Sequence, residues 1–281
     1  MLRSVLIPAD FTEETRLLTG FAAGLGALGV RRAVLAHCVE ASGLEGPVIV
    51  ASVDRARERI WDTAGDMAAA GLDVEVRVVT GETAHAMIAL ASETHVDAVV
   101  SGTHGKTVLD RLLGGSVSED LLANADRPSL FCRFRLLRNA GKPSDLARGM
   151  GRTLVIPTDF SASSLRALNT ALELPKGSVG MLYLLHVLDG AFSGDALRKA
   201  EEGVEFQLAN MVAMAAERGI TARSVIRRGE PGREVLRELD ERRASGVFTG
   251  SRGCGVWTEA VLGSVSMMLL RQASCPVMVV P

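Results

Sequence analysis

The sequence has few aromatic residues, little net charge and no long apolar run. Phe, Trp and Tyr make up 4% of its 281 residues, which leaves no aromatic platform for stacking single-stranded nucleic acid. The formal net charge of −2 indicates neither a basic nucleic-acid footprint nor attraction to acidic membranes. No apolar run approaches the ~18 residues of a membrane span. We therefore expect neither a nucleic-acid partner nor a membrane partner.

Cysteines are also few, and they are scattered. The four of them form no CxxC pair and have no histidine at metal-ligand spacing: Cys38, Cys132, Cys254 and Cys275. We interpret them as reduced thiols of a cytoplasmic protein without a metal site. The N-terminus, MLRSVLIPAD, has an apolar part too short for a signal peptide and is typical of a strand.

Short apolar runs alternate with amphipathic segments along the whole chain. In the first half the runs at 2–8, 33–39, 73–80, 97–101 and 128–134 predict strands, and the segments between them predict helices, the last at 116–125. This alternation is typical of an α/β fold with a doubly wound parallel sheet and right-handed crossovers. We expect five parallel strands per domain in the order 3-2-1-4-5, flanked by helices.

The second half repeats the first. Pro157 lies 149 residues after Pro8, and His186 lies 149 residues after His37. Gly250 lies 148 residues after Gly102, so the second copy is one residue shorter in its middle. The repeat predicts two tandem domains at 1–138 and 152–281. Residues 139–151, rich in Gly and polar residues, are the expected linker.

A glycine pattern also occurs twice with identical spacing. Gly102 and Gly105 are followed by nine residues and then by Gly115-Ser116, and the second copy has Gly250, Gly253, Gly263 and Ser264. Glycines allow close backbone approach to an anion, and a helix that begins at Gly-Ser offers free N–H groups to a phosphate. Turn and helix-start glycines are the alternative interpretation, which the exact repeat disfavours.

An aspartate follows the first predicted strand of each half. Asp10 and Asp159 suit a helix cap, or an acceptor for the amino group of a ligand. In the expected strand order, strands 1 and 4 flank the crevice where ligands of parallel sheets bind. Each aspartate and the glycine motif of its own half should therefore converge there.

With these residues the chain resembles tandem universal stress proteins of the subgroup with the pattern G-x2-G-x9-G-[S/T], over nearly all of both halves. The resemblance implies ATP or a related adenine nucleotide, with Mg²⁺ carried on its phosphates as an open option. It implies that Asp10 and Asp159 contact the adenine side and that Cys38 and Val187 frame the base. It further implies that the glycine motifs wrap ribose and phosphates and that backbone N–H groups of Val117 and Val265 assist them.

The same resemblance implies pairing through the fifth strands, hence an internal pseudo-dimer of the two domains, with a homodimer left open. The second half departs from the first in three places: Cys38 is replaced by Val187, and Asp97, at the start of strand 4, by Ser245. The charge inside the glycine motif also differs, with His104 and Lys106 in the first half and Arg252 in the second. These changes leave room for two sites of unequal affinity.

An enzymatic role finds little support in the sequence. A P-loop would need Gly where Val100 stands, and no Gly-x-Ser-x-Gly elbow is present. The candidate bases His104, Asp110 and Glu259 each occur in one copy only. We favour a nucleotide-binding sensor or regulator in a stress response, with an unknown regulatory protein partner and at most slow hydrolysis. A slow metal-dependent ATPase and a scaffold with vestigial pockets stay open.

Overall fold

The computed structural model describes residues 2–40, 46–103, 126–190, 193–253 and 262–281. It divides into two compact units, Met1–Gly149 and Met150–Pro281, which we call the N-terminal and C-terminal domains. Within the described residues, no helix combines the length and the apolar character that crossing a membrane would require.

The N-terminal domain alternates strands and helices as the sequence predicts. Its elements are β1 (Ser4–Pro8), α1 (Glu13–Ala22), a short 3-10 helix (Leu25–Leu28), β2 (Arg32–Val39), α2 (Gly46–Ala69), β3 (Asp73–Thr80), α3 (Thr83–Glu93), β4 (Ala98–Thr103), β5 (Ser129–Arg133), α4 (Phe134–Asn139) and α5 (Pro143–Gly149). All strand pairs are parallel, in the order β3-β2-β1-β4-β5. The helix predicted at 116–125 lies outside the described residues.

The C-terminal domain repeats this plan. Its elements are β6 (Thr153–Pro157), α6 (Ala162–Leu172), β7 (Met181–Leu188), α7 (Gly194–Glu217), β8 (Ala222–Arg228), α8 (Pro231–Glu241), β9 (Gly246–Gly250), α9 (Ser264–Gln272) and β10 (Val277–Val280). Its strands are again parallel, in the order β8-β7-β6-β9-β10. The predicted α/β fold class, a parallel sheet with flanking helices in each of two tandem domains, is confirmed.

The core of each domain lies on its central strands. Val5, Leu6 and Ile7 of β1 are fully buried, as are Leu154, Val155 and Ile156 of β6. A parallel strand covered by helices on both faces is apolar at successive positions, which explains these unbroken runs.

Polar side chains fix where the strands and helices begin. Asp97 Oδ2 accepts hydrogen bonds of 2.8 Å from the N–H groups of Arg3 and Ser4, which ties the start of β1 to β4. Ser245 has the same role in the C-terminal domain, where its hydroxyl oxygen accepts a 2.8 Å hydrogen bond from the N–H of Thr153 at the start of β6. The carboxylate of Glu230 caps α8 by accepting from two backbone N–H groups. The replacement of Asp97 by Ser245 in the second half therefore affects the hydrogen bonds at the start of the first strand of each domain.

Residues 139–151, expected as the linker, contain α5, and α5 packs against α1. Gly24 makes this approach possible, because a Cβ there would lie 2.1 Å from the carbonyl oxygen of Ser144. The helix therefore continues the fold of the N-terminal domain.

Candidate functional site

A cavity of about 520 Å³ opens at the carboxyl ends of the central strands of the C-terminal domain. Strands β6, β7 and β9 and the first turn of α9 surround it. This is the crevice where ligands of open parallel sheets bind. The residues that border the cavity are Pro157, Thr158, Asp159, Ser164, Leu185, His186, Val187, Asp189, Pro231, Val235, Thr249, Gly250, Arg252, Gly253, Gly263, Ser264, Val265 and Ser266.

Asp159 is presented by an unusual turn after β6. The next residue, Phe160, has φ of 64°, in the left-handed region that side chains disfavour. Its ring stacks on His186, with the centroids 4.8 Å apart, and Nδ1 of His186 lies 2.8 Å from the carbonyl oxygen of Thr158. Asp159 Oδ1 accepts a 3.1 Å hydrogen bond from the N–H of Ser161. The stacked rings of Phe160 and His186 thus stabilise the turn that orients Asp159.

Two glycines allow the loop after β9 to approach this turn. A Cβ at Gly250 would lie 2.4 Å from the hydroxyl oxygen of Ser163, so a side chain there would push α6 away from β9. A Cβ at Gly253 would lie 2.7 Å from Asp159 Oδ2. Gly250 therefore needs glycine because of close packing against the backbone of α6, whereas a Cβ at Gly253 would displace the carboxylate of Asp159.

The first turn of α9 faces the cavity through Ser264 and Val265. Gly263 is its N-cap, with φ of −63° and ψ of 150°, and as a glycine it has no side chain of its own to cap this end of the helix. The N–H of Gly263 itself donates to the carbonyl oxygen of Ser251 at 2.8 Å. The N–H groups of the first helical turn have no partner within a helix, and the helix dipole adds partial positive charge there. This end of the cavity is suited to an anion.

The lining also has an apolar part, made up of Leu185, Val187, Pro231 and Val235. Three lining residues carry charge: the carboxylates of Asp159 and Asp189 and the guanidinium of Arg252. A site with an apolar wall, hydrogen-bond acceptors and an anion-binding helix end can hold a flat heterocycle that carries an anionic tail.

The N-terminal domain repeats the turn after strand 1. Phe11 has φ of 62°, its ring lies 4.3 Å from that of His37, and Nδ1 of His37 lies 2.6 Å from the carbonyl oxygen of Ala9. Asp10 Oδ1 accepts from both hydroxyls of Thr12 and Thr15, each at 2.6 Å. Burial alone would raise the pKa of Asp10, but these hydrogen bonds outweigh it and the pKa is lowered.

Cys38 and Gly102 also have defined positions in this domain. Cys38 is buried on β2, its Sγ lies 3.5 Å from the carbonyl oxygen of Gly81, and burial raises the pKa of its thiol. Gly102 lies under the ring of Phe134, which a Cβ would approach to 2.1 Å. The remaining predicted residues of this half lie outside the described residues: Gly105, Gly115, Ser116 and Val117.

Comparison with known proteins decides the family. The family model described as "Universal stress protein family" matches residues 1–133 and again residues 150–281. The chain belongs to the universal stress protein family. The tandem arrangement that the repeat predicts is thereby confirmed, and each domain corresponds to one match.

Individual relatives agree with this assignment. Universal stress protein YxiE of Bacillus subtilis is 31% identical over 148 residues, which span 47% of this chain and 99% of that protein. Universal stress protein MJ0531 of Methanocaldococcus jannaschii is 29% identical over 139 residues, which span 46% of this chain and 81% of that protein. A crystal structure of a universal stress protein from Archaeoglobus fulgidus shares the fold across 100% of this chain and 98% of that one, with a TM-score of 0.77 and 24% identity.

In this universal stress protein, the one cavity described above gathers all seven residues predicted for the second half: Asp159, Val187, Gly250, Gly253, Gly263, Ser264 and Val265. Sequence reasoning missed Asp189 and Pro231, which border the same cavity. Asp189 directly follows β7, and its place at a strand end was the available signal. Among the described residues, no group of three or more His, Cys, Asp or Glu is arranged to hold a metal ion.

Proposed function

We propose that the C-terminal domain binds an adenine nucleotide, ATP or a close relative, in its cavity. The observation that carries the proposal is that Asp159 and the start of α9, whose N-cap is a glycine, border the same space of about 520 Å³. Pockets for small molecules span roughly 300–1,000 Å³, so a nucleotide is of suitable size.

The phosphates are assigned to the start of α9. The peptide N–H groups at Ser264 and Val265 supply donors, and Gly253 and Gly263 keep side chains out of the way. Arg252, which also lines the cavity, adds a cation. A Mg²⁺ ion would then be carried by the phosphates and water, as is usual for this ion.

The base is assigned to the apolar wall. Val187 and Pro231 offer flat contact to a purine, and the carboxylates of Asp159 and Asp189 can accept hydrogen bonds from an exocyclic amino group or from ribose hydroxyls. Adenine bears an amino group that suits these acceptors. The proposal therefore names an adenine nucleotide.

We assign the same ligand class to the N-terminal domain. Asp10 follows β1 as Asp159 follows β6, and Cys38 occupies the position of Val187. Gly102, Gly105, Gly115, Ser116 and Val117 carry the same spacing as their counterparts in the second half. Thiol and isopropyl groups differ in polarity, so the two sites need not share one affinity.

The biological role we propose is that of a cytoplasmic sensor or regulator in a stress response. Nucleotide occupancy would be communicated to a regulatory protein partner, with hydrolysis at most slow. Pairing of the two domains through their fifth strands as an internal pseudo-dimer, and association of two chains, are part of the proposal. The scaffold with vestigial pockets and the slow metal-dependent ATPase are the competing hypotheses.

The first test is to denature freshly purified protein and to identify the released nucleotide by chromatography and mass spectrometry. Two adenine nucleotides per chain support both sites, and one supports a single occupied site. The number of phosphates on the released nucleotide reports on turnover. No released nucleotide, together with no ATP binding by calorimetry, would leave the scaffold hypothesis.

Substitutions then assign the sites. Gly263→Val fills the space before α9 at a backbone conformation that valine accepts, so we expect it to abolish binding to the C-terminal domain. Gly115→Val is the corresponding change in the first half. The control is Gly203→Val on the exposed face of α7, where an added Cβ meets nothing within 4 Å. Equal affinities in Gly263→Val and Gly203→Val would contradict the assignment.

A further inference from the structure

A second cavity, of about 320 Å³, lies between α1 and α2 of the N-terminal domain. Its volume is at the lower end of the range for small-molecule pockets. It is bordered by Phe11 and Thr12 and by both helices, but not by Asp10, Cys38 or Gly102. The nucleotide proposal makes no use of it.

Four charged side chains border this cavity: Arg16, Arg59, Asp62 and Asp66. In the part of the chain that the structure describes, none of the four takes part in an ion pair or a side-chain hydrogen bond. Elsewhere on the same helix an arginine and an aspartate three residues apart do pair, Arg57 with Asp54 at 3.6 Å. The cavity thus keeps two cations and two anions apart, where a ligand can reach them.

Arg59 is held in place by an aromatic ring. Its guanidinium carbon lies 4.3 Å from the ring centroid of Phe11, within the range of a cation–π interaction. Stacking uses the face of the guanidinium and leaves the N–H groups at its edge available. The donors of Arg59 are therefore oriented before any ligand arrives, which lowers the entropy cost of binding.

The corresponding positions of the C-terminal domain lack these charges. Arg16 corresponds to Leu165 at the offset of 149, and Arg59, Asp62 and Asp66 correspond to Gln207, Asn210 and Met214 at the offset of 148. Leu165 and Met214 are 37% and 38% exposed. The same fold therefore forms without the charged set, so the charges are not a requirement of folding.

We propose that this cavity binds a small zwitterion. The anionic group of the ligand pairs with Arg16 and Arg59, and its cationic group pairs with Asp62 and Asp66. The four side chains sum to zero charge, so a simple anion attracted by the arginines is repelled by the aspartates, and the reverse holds for a simple cation. A ligand with both charges can pair with the arginines and with the aspartates at once, which a singly charged ligand cannot do.

Three probes of nearly equal size test this proposal by calorimetry on the nucleotide-free full chain: 4-aminobutyrate, butanoate and butylammonium. We expect 4-aminobutyrate to bind at least tenfold more tightly than either singly charged probe. Absence of 4-aminobutyrate binding, or equal binding of all three probes, would overturn the proposal. The test does not depend on nucleotide binding, so each proposal can fail without the other.

Matched substitutions on α2 locate the site. Arg59→Gln introduces the residue of the C-terminal domain, and we expect it to weaken 4-aminobutyrate binding at least tenfold. Arg57→Gln, on the same helix but outside the cavity, should leave the affinity unchanged. Asp62→Asn and Asp54→Asn form a second matched pair for the cationic group. If both members of a pair behave alike, the zwitterion binds elsewhere and the assignment fails.

Discussion

Gly253 lies directly against Asp159: a Cβ at position 253 would approach Asp159 Oδ2 to 2.7 Å. The second glycine of the motif and the aspartate after the first strand are therefore in contact, although 94 positions separate them in the sequence. The spacing of the motif and the position of the aspartate form one site because these two residues meet.

This contact predicts the effect of Gly253→Ala. The atom that must move is the end of a flexible side chain, so the domain should fold normally while the carboxylate is displaced. We expect nucleotide affinity at the C-terminal site to fall about tenfold or more, because a hydrogen bond to a charged group contributes about 1.5–3 kcal/mol. Calorimetry measures the affinity. Gly203→Ala is the control, and equal affinities for the two variants would exclude Asp159 as a ligand contact.

Asp10 predicts a pH dependence of stability. Hydrogen bonds from Thr12 and Thr15 lower the pKa of Asp10 below its ordinary value of 3.8 despite the opposing effect of burial. A carboxylate with a lowered pKa stabilises the fold above its unfolded pKa, and this contribution is lost as pH falls through the folded pKa. Asp10→Asn should therefore reduce the free energy of unfolding at pH 7 and reduce it less near pH 2.5. Urea titrations at both pH values measure this.

A companion variant tests the cause of the lowered pKa. Thr15→Val removes one of the two hydroxyl donors and keeps the shape of the side chain. It should shrink the pH-dependent part of the difference between the wild type and Asp10→Asn. A difference that is the same at both pH values would show that Asp10 does not stabilise the fold through its charge.

Glu238 predicts a non-additive pair of substitutions. Its side chain is fully buried and accepts from Arg227 Nε at 2.8 Å and from Arg242 Nε at 2.7 Å. The N-terminal domain has Val79 and Leu90 at the positions of Arg227 and Glu238, where they are part of an apolar cluster. The same fold thus accommodates an ion pair at these two positions in one domain and a pair of apolar side chains in the other.

We expect Arg227→Val alone to destabilise the protein by about 3 kcal/mol, because removing one partner leaves a buried charge poorly compensated. The double variant Arg227→Val/Glu238→Leu introduces the apolar pair of the N-terminal domain. Its free energy of unfolding should lie within about 1 kcal/mol of that of the wild type. Denaturant unfolding of the wild type, both single variants and the double variant gives the coupling energy. If the effects of the two single substitutions on the free energy of unfolding simply add up in the double variant, the proposed coupling between Arg227 and Glu238 is wrong.

We expect the thiol of Cys275 to be unreactive in the folded protein. Burial raises its pKa to about 12, with a further contribution from the charge of Asp240, so the nucleophilic thiolate is scarce at neutral pH. We expect a thiol reagent at pH 8 to leave Cys275 unmodified in the native protein and to modify it in urea. Peptide mapping after labelling identifies the site. Modification of native Cys275 at the unfolded rate would contradict its burial.

The sequence predicts regular elements well where the pattern is local. Strand β3 spans Asp73–Thr80, the predicted range, because its alternation and the following glycine are both visible in the sequence. Phe134 was expected to end a strand, and instead it begins α4. Its ring occupies the space left by Gly102, and that contact between distant residues has no local signature.

The site divides in the same way. Spacing and duplication are sufficient to predict the glycines and both aspartates as site candidates, because a motif that occurs twice is visible without a structure. Asp189 and Pro231 border the cavity because α8 packs against β7, and such tertiary packing has no signature in the local sequence. The sequence does not predict the charged cavity between α1 and α2 for the same reason, since its residues resemble those of ordinary exposed helix faces.

The turn after the first strand has a further consequence for both domains. Phe11 and Phe160 hold positive φ, a conformation that costs an L-residue roughly 1–2 kcal/mol. The rings lie against His37 and His186, and each histidine has Nδ1 near a backbone carbonyl of the same turn. The contact between each ring and its histidine therefore helps to hold the turn against the backbone preference for negative φ. If a ring leaves its histidine, the turn can relax to negative φ and carry the carboxylate away. Each domain thus has a way to turn this carboxylate away from its present position that needs no movement of its sheet.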